Sequence, residues 1–284
     1  MSENTIESSN ENTTNFLLSE TQQNPPNENN DNKINKIALL TIIFLVAISI
    51  ITLLSLLYAF HAFSSNRHHN QPLIIEPTST HTHTIVYIHG LGSEPNKYRY
   101  FFYNKTHIPE YNNTRIILLN ADVNYVSFTK NKTTSWFDIY AFPVKNDGDF
   151  NIDDIKESSD YVKEIIKQEA LKLNNSYGKI ILGGHSQGAV VSMYTAYTLE
   201  ENLGMILVNS GFLCPLKMGK NKDKLRVFAG HGGLDEAILS NFTNYTYGKV
   251  MNYSGFEYHF YPNMSHKISG EEIKDMEEFI EKYW

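Results

Sequence analysis

The chain holds a single cysteine, Cys214, among 284 residues. One thiol cannot close an intramolecular disulfide, and the paired Cys-x-x-Cys spacing of structural zinc and iron–sulfur sites is absent. Positive charge is also scarce: 24 Lys and Arg stand against 31 Asp and Glu, a formal net charge of −7. Nucleic-acid binding needs a concentrated basic face, so DNA and RNA are excluded as partners. There is no G-x-G-x-x-G and no P-loop, which removes the common nucleotide cradles. With 41% hydrophobic and 19% charged residues, the composition still excludes whole-chain disorder.

What is present is unevenly spread. Residues 1–36 contain ten Asn, with Ser, Thr, Glu and Gln making up most of the rest. Their few apolar residues cannot repay the entropy of ordering, and Pro25 and Pro26 oppose helix, so a disordered tail is expected. Residues 37–60 then run for 24 positions without a charge. At about 1.5 Å per residue this reaches roughly 36 Å, enough to cross a hydrocarbon core of about 30 Å. A buried core helix rarely stays apolar on every face for so long, and the apolar region of a cleaved signal peptide is usually about 7–15 residues. The run reads as one transmembrane helix, a signal anchor. Lys33 and Lys36 flank it on one side and Arg67 on the other, which keeps the tail cytosolic and sends the remainder into the lumen or outside, a type II arrangement.

The glycosylation pattern N-x-[ST] is independent of that charge argument. It occurs beyond the span at Asn104, Asn112, Asn131, Asn174, Asn241, Asn244, Asn252 and Asn263. The local Asn, Ser and Thr content gives roughly three matches by chance, so the excess favours a lumenal or extracellular glycoprotein. The missing disulfides pull the other way. Residues 61–83, with two Pro and clustered Ser, Thr and His, read as a linker. Its His68, His69, His81 and His83 lack a Cys or carboxylate framework, and a solvated linker is favoured over a metal site.

Residues 84–284 suit one domain. Short apolar runs at 85–88, 115–119, 179–182, 205–208, 226–229 and 257–261 alternate with helical patterns at 154–173 and 187–200 and with a final helix. Strands that are apolar throughout belong to a parallel sheet covered on both faces. The last helix opens with Ser269 and Glu272 at capping-box spacing, then places Ile273, Met276, Ile280 and Tyr283 at helical intervals. The alternation predicts a three-layer α/β sandwich with a mostly parallel sheet. Residues 123–150 show neither period and read as a long loop crossing the site, partly covering an open groove.

The strongest chemical signal is Gly184-His185-Ser186-Gln187-Gly188, a G-x-S-x-G between the apolar run KIILG and the helical run AVVSMYTAYTL. A strand entering a helix through a sharp turn lifts the Ser oxygen clear of the backbone, and the flanking glycines leave room. Serine needs a base. Of His231, His259 and His266, the last follows a strand and precedes the final helix, where an imidazole can swing over the sheet edge. His259 lies within a strand, where it packs or faces solvent. Asp235 follows the preceding strand and can orient His266. Asp223 precedes that strand, and Glu236 is the neighbouring rival. Oxyanion donors are expected from the backbone N–H of Gln187 and of Leu91 in His89-Gly90-Leu91-Gly92.

With these residues in place, the chain resembles the acyl-protein thioesterase/carboxylesterase family of α/β hydrolases. The matching pieces are HGLGS at 89–93, SWFDIY at 135–140, the helix at 155–169, IILGGHSQGAVVSMYTAYTL at 180–199, HGGLDEAI at 231–238 and the His266 segment. The resemblance implies an α/β-hydrolase fold and hydrolysis of a long-chain acyl thioester or ester through a Ser-bound acyl intermediate. It implies Ser186, Asp235 and His266 as the triad and Leu91 and Gln187 as oxyanion donors. Trp136 would lie near the acyl pocket, or else pack in the core. The implied partner is an acylated protein or lipid, with no cofactor and no metal. A lysophospholipase, a small-ester carboxylesterase and, last, a non-enzymatic binding ectodomain are the alternatives. Three departures stand out: Ser93 where the family usually has Asp, Glu236 where Pro is common, and a span in a mostly soluble, cytosolic family. The sequon at Asn263, three residues from His266, is expected to be unused or to carry a glycan that points away.

Overall fold

The structure, a computed structural model, describes residues 28–64, 70–102 and 111–284. The chain divides into two compact units, Met1–Phe63 and Ser64–Trp284. The first is built on one long helix, α1 (Glu28–Ser64). Its segment Lys36–Ser55 has a mean hydropathy of 3.0 and no buried residue, and is long and apolar enough to cross a membrane. Thr41, Ser49 and Ser55 donate their hydroxyls to the helix carbonyls of Ile37, Leu45 and Thr52 at 2.8–2.9 Å, so these polar groups need no partner outside the helix. Residues 28–36, expected within a disordered tail, are helical, because extending a formed helix costs far less than starting one. The rest of the expected tail, 1–27, lies outside the described residues.

The second unit runs β1 (Leu73–Ile75), β2 (His83–Ile88), α2 (Arg99–Phe102), β3 (Thr114–Leu119), β4 (Val123–Val126), β5 (Asn131–Thr134), α3 (Ile152–Lys172), β6 (Ile180–His185), α4 (Gln187–Thr198), β7 (Met205–Asn209), β8 (Val227–Gly232), α5 (Ser240–Tyr247), β9 (Phe256–Tyr261) and α6 (Gly270–Tyr283). Seven strands form one sheet in the order β1-β3-β2-β6-β7-β8-β9. Only β1 is antiparallel to its neighbour. Side chains alternate between two apolar layers. Val86, Ile88, Leu182, Ile206 and Val208 pack with α3 and α4 on one face. Ile85, Tyr87, Ile181, Leu207 and Phe228 pack with Met276, Phe279 and Ile280 of α6 on the other. Both faces are thus covered, which is why the strands read as apolar throughout.

The helices start on identifiable caps. The Asn151 side chain accepts from the Asp153 and Asp154 N–H groups at the head of α3, and the Ser269 hydroxyl accepts from the Glu272 N–H at the head of α6. Two expectations change, and one helix is new. The stretch 61–83, read as a linker, supplies β1, a three-residue edge strand between Pro72 and Pro77, a position where proline is tolerated. The stretch 123–150, read as a loop, contains the hairpin of β4 and β5. The segment around α5 carried no helical expectation. Of the linker histidines, His68 and His69 lie outside the described residues, whereas His81 bonds Thr84 and His83 bonds Thr82. Among the described residues no group of three His, Cys, Asp or Glu could hold a metal.

Candidate active site

β6 ends at His185 and α4 begins at Gln187, so Ser186 alone makes the turn. Its backbone sits at φ 57° and ψ −121°, a region an L-residue holds only when its surroundings impose it. The Ser186 N–H donates to the Asn209 carbonyl at 2.9 Å. The flanking glycines are demanded by space. A Cβ on Gly188 would lie 2.1 Å from the Ile88 carbonyl oxygen, and one on Gly184 would lie 2.4 Å from the Gly188 carbonyl carbon.

The structure brings Ser186, His266 and Asp235 together. Ser186 Oγ and His266 Nε2 are 2.8 Å apart, and His266 Nδ1 lies 2.8 Å from Asp235 Oδ2. The three come from loops after β6, β8 and β9, at the carboxyl ends of parallel strands, where open α/β sheets place their sites. Asp235 is buried, and its other oxygen accepts the N–H groups of Ala237 and Ile238 at 2.9 and 2.8 Å. Burial opposes its ionisation, but the hydrogen bond and charge of His266 and the Ile238 N–H outweigh that and hold the carboxyl below its usual range.

The rival residues sit elsewhere. His231 is buried, with Nε2 3.1 Å from the Ile238 carbonyl and 3.5 Å from Asp235 Oδ2, and burial pushes its pKa down. His259 lies on β9, 3.5 Å from Asp275 and packed against Phe228. Glu236 is exposed, and Asp223 lies in a short turn before β8.

Ser186 opens onto a cavity of about 400 Å³. Phe137, Ile139, Phe142, Val144, Phe212 and Ile238 form its apolar wall, while Leu91, Gln187 and His266 line the end at Ser186. Among the described residues, the backbone N–H groups of Leu91 and Gln187 have no acceptor, as groups awaiting an oxyanion would be. His185, also on the wall, has its pKa lowered to about 3, first by burial and then by the charge of nearby His266, so it stays neutral.

Trp136 does not line the cavity. It is buried, and its indole Nε1 donates to the His89 carbonyl at 2.9 Å, bracing the 89–92 turn. Its neighbour Phe137 supplies the wall instead. The Gln187 side chain ties the same block down: Oε1 accepts the Trp136 N–H at 2.9 Å and Nε2 donates to the Phe137 carbonyl at 2.7 Å. The turn is further held to β5, where the Gly92 N–H donates to the Thr134 carbonyl at 2.8 Å. Sequence reasoning missed the wall residues. The available signal was the apolar set at 137, 139, 142 and 144 within a stretch lacking regular periodicity.

This arrangement can activate a hydroxyl through an imidazole held by a buried carboxylate, beside an apolar cavity and two free amide donors. Comparison with known proteins shows the family. The model of a family described as Phospholipase/Carboxylesterase matches residues 69–284. Acyl-protein thioesterase 1 of Debaryomyces hansenii is 31% identical over 217 residues, covering 69% of this chain and 89% of that protein. Acyl-protein thioesterase 1 homolog 1 of Dictyostelium discoideum is 30% identical, covering 72% and 92%. Among solved structures, Arabidopsis thaliana SOBER1 superposes with a TM-score of 0.63 at 22% identity, covering 71% of this chain and 98% of that one. Zea mays acyl-protein thioesterase 2 does so with a TM-score of 0.61 at 20% identity, covering 75% and 99%. At such identities the structural likeness speaks for the fold alone.

Proposed function

The chain belongs to the phospholipase/carboxylesterase family of α/β hydrolases, and from that premise we propose that it cleaves long-chain acyl thioesters or esters, with Ser186 as nucleophile, His266 as base and Asp235 as the acid that orients it. As a family member it is a serine hydrolase. The observation that carries the assignment is the hydrogen-bonded line Ser186–His266–Asp235, 2.8 Å at each step, at the mouth of an apolar cavity.

In this reading Ser186 Oγ attacks the acyl carbonyl carbon while His266 Nε2 takes its proton. The oxyanion lies against the N–H groups of Leu91 and Gln187. Asp235 stabilises the imidazolium without itself becoming protonated. Collapse of the adduct expels the leaving group and leaves an acyl ester on Ser186. A thiolate leaves with little help, since a thiol has a pKa of about 8.5, whereas an alkoxide must take the proton from His266. Water then repeats the attack on the acyl-enzyme. The wall from Phe137 to Ile238 suits the acyl chain.

We also propose that α1 anchors the enzyme in a membrane, with the catalytic domain in the lumen or outside and N-glycosylated. The apolar segment Lys36–Ser55 supports the anchor. The side orientation is supported by the sequons: the described acceptors Asn112, Asn131, Asn174, Asn241, Asn244, Asn252 and Asn263 are all exposed. Asn104 lies outside the described residues.

A fluorophosphonate probe is expected to label the wild-type protein and to spare Ser186→Ala; equal labelling of both would remove Ser186 from the mechanism. Competition between a palmitoyl-thioester peptide and lysophosphatidylcholine reads the substrate class. Preference for the thioester is the expected result, and preference for the lysophospholipid would make the enzyme a lysophospholipase.

A further inference from the structure

Asn209 closes β7 with both ends of its side chain held. The Tyr87 hydroxyl donates to Asn209 Oδ1 at 2.8 Å, and Asn209 Nδ2 donates to Glu272 Oε1 at 2.8 Å. Its backbone carbonyl meanwhile accepts the Ser186 N–H at 2.9 Å. Three elements, β2, β7 and α6, therefore converge on the residue that holds the turn carrying Ser186. Asn209 and Glu272 are both 0% exposed. Gly230 of β8 makes space for the carboxyl, because a Cβ there would lie 2.1 Å from Glu272 Oε1. Among the described residues the second oxygen, Oε2, has no hydrogen-bond partner at normal geometry, although the Ser269 backbone favours the ionised carboxyl. A fully buried carboxyl is costly, and an apolar side chain would fill the same space at lower cost if packing were its only task.

Building on the proposed role of Ser186, we propose that Glu272 is a positioning residue for the nucleophile: by clamping the Asn209 side chain it fixes the carbonyl that holds the Ser186 N–H, and so sets Oγ against His266. The strained Ser186 backbone persists only while its surroundings over-determine it. Without the clamp the Asn209 side chain can rotate, its peptide can tilt and Ser186 can relax. Acyl transfer is sensitive to such movement, since a misplacement of about 1 Å can cost about a hundredfold in rate. Oε1 can accept the Asn209 amide whether the carboxyl is ionised or protonated, so a neutral amide should replace it.

The test uses the full-length protein with Glu272→Ala, Glu272→Gln and Tyr87→Phe, assayed on an acyl-thioester peptide and by the rate of fluorophosphonate inactivation, well below each variant's Tm. Glu272→Ala is expected to lower kcat by about ten- to a hundredfold with KM within about twofold, and to slow inactivation in proportion. Glu272→Gln, which keeps an acceptor oxygen, is expected to restore most of the loss, and Tyr87→Phe to show a smaller fall in kcat. Wild-type kcat in a folded Glu272→Ala protein would overturn the proposal, as would Glu272→Gln behaving like Glu272→Ala when both fold. Should Glu272→Ala fail to fold, unchanged kcat in Tyr87→Phe would overturn it instead. Labelling of Ser186→Ala would contradict the assignment of the nucleophile; wild-type rates in Glu272→Ala contradict only the clamp.

Discussion

Gln187 divides its two ends between different tasks. It lines the cavity with a backbone N–H that has no acceptor among the described residues, while its side chain holds Trp136 and Phe137. Gln187→Ala keeps the backbone donor and loses the buried side-chain bonds, so it is expected to retain labelling at Ser186 while losing about 1–3 kcal/mol of stability in chemical denaturation. Gly188 has no such latitude. With a Cβ 2.1 Å from the Ile88 carbonyl, Gly188→Ala is expected to yield no soluble folded enzyme, whereas Gly178→Ala, with open space around it, should behave as wild type. Glu272 makes a pH prediction. Burial pushes its carboxyl from the usual 4.5 up to about 7, against the Asn209 amide and the Ser269 backbone. A carboxyl with a raised folded-state pKa contributes stability that is complete below the unfolded value and is lost as pH rises through the folded one. The wild-type Tm should therefore fall between pH 4.5 and 7 relative to Glu272→Gln in parallel melts; matching curves would mean the group does not titrate there.

At the scale of elements, the segment from 137 to 144 builds one wall of the cavity from residues outside any named helix or strand. Phe142 is half exposed, lines the cavity and stacks on Phe128 at 5.0 Å. Each acyl methylene buried against such a wall is worth about 0.8 kcal/mol, about fourfold in kcat/KM, until the cavity is full. Phe142→Ala is expected to flatten this dependence, measured over an acyl-length series, and to leave short-chain esters unaffected. The parallel strands were legible in the sequence because both faces are buried, so β2, β6, β7 and β8 read as unbroken apolar runs. The order of Ser186, Asp235 and His266 was legible too, since each follows a strand-like run, although the one before His266 includes Glu257 and His259. The β4–β5 hairpin was not, because its Val123, Tyr125, Asn131 and Lys132 are exposed and give no core-facing alternation. The cavity wall was not either, because Phe137, Phe212 and Ile238 come from separate loops that only the tertiary fold unites. Trp136 drew attention as an aromatic near the site, yet its bond to the His89 carbonyl makes it a brace.

The whole molecule joins a long apolar helix to a hydrolase domain with its own two apolar layers. In the proposed topology, sealed microsomes should protect the domain from added protease, and an endoglycosidase should increase its gel mobility. Digestion from the cytosolic face without a glycan shift would reverse the orientation and place the site among cytosolic S-acylated proteins. The chemistry does not depend on that outcome, because Ser186, His266 and the cavity all belong to the second unit. The most direct test is therefore chemical: rapid acid quench during turnover of a palmitoyl thioester, followed by peptide mass mapping. A palmitoyl adduct is expected on the peptide containing Ser186 and not in Ser186→Ala. Turnover with no adduct on that peptide, or undiminished turnover by Ser186→Ala, would contradict Ser186 as the nucleophile.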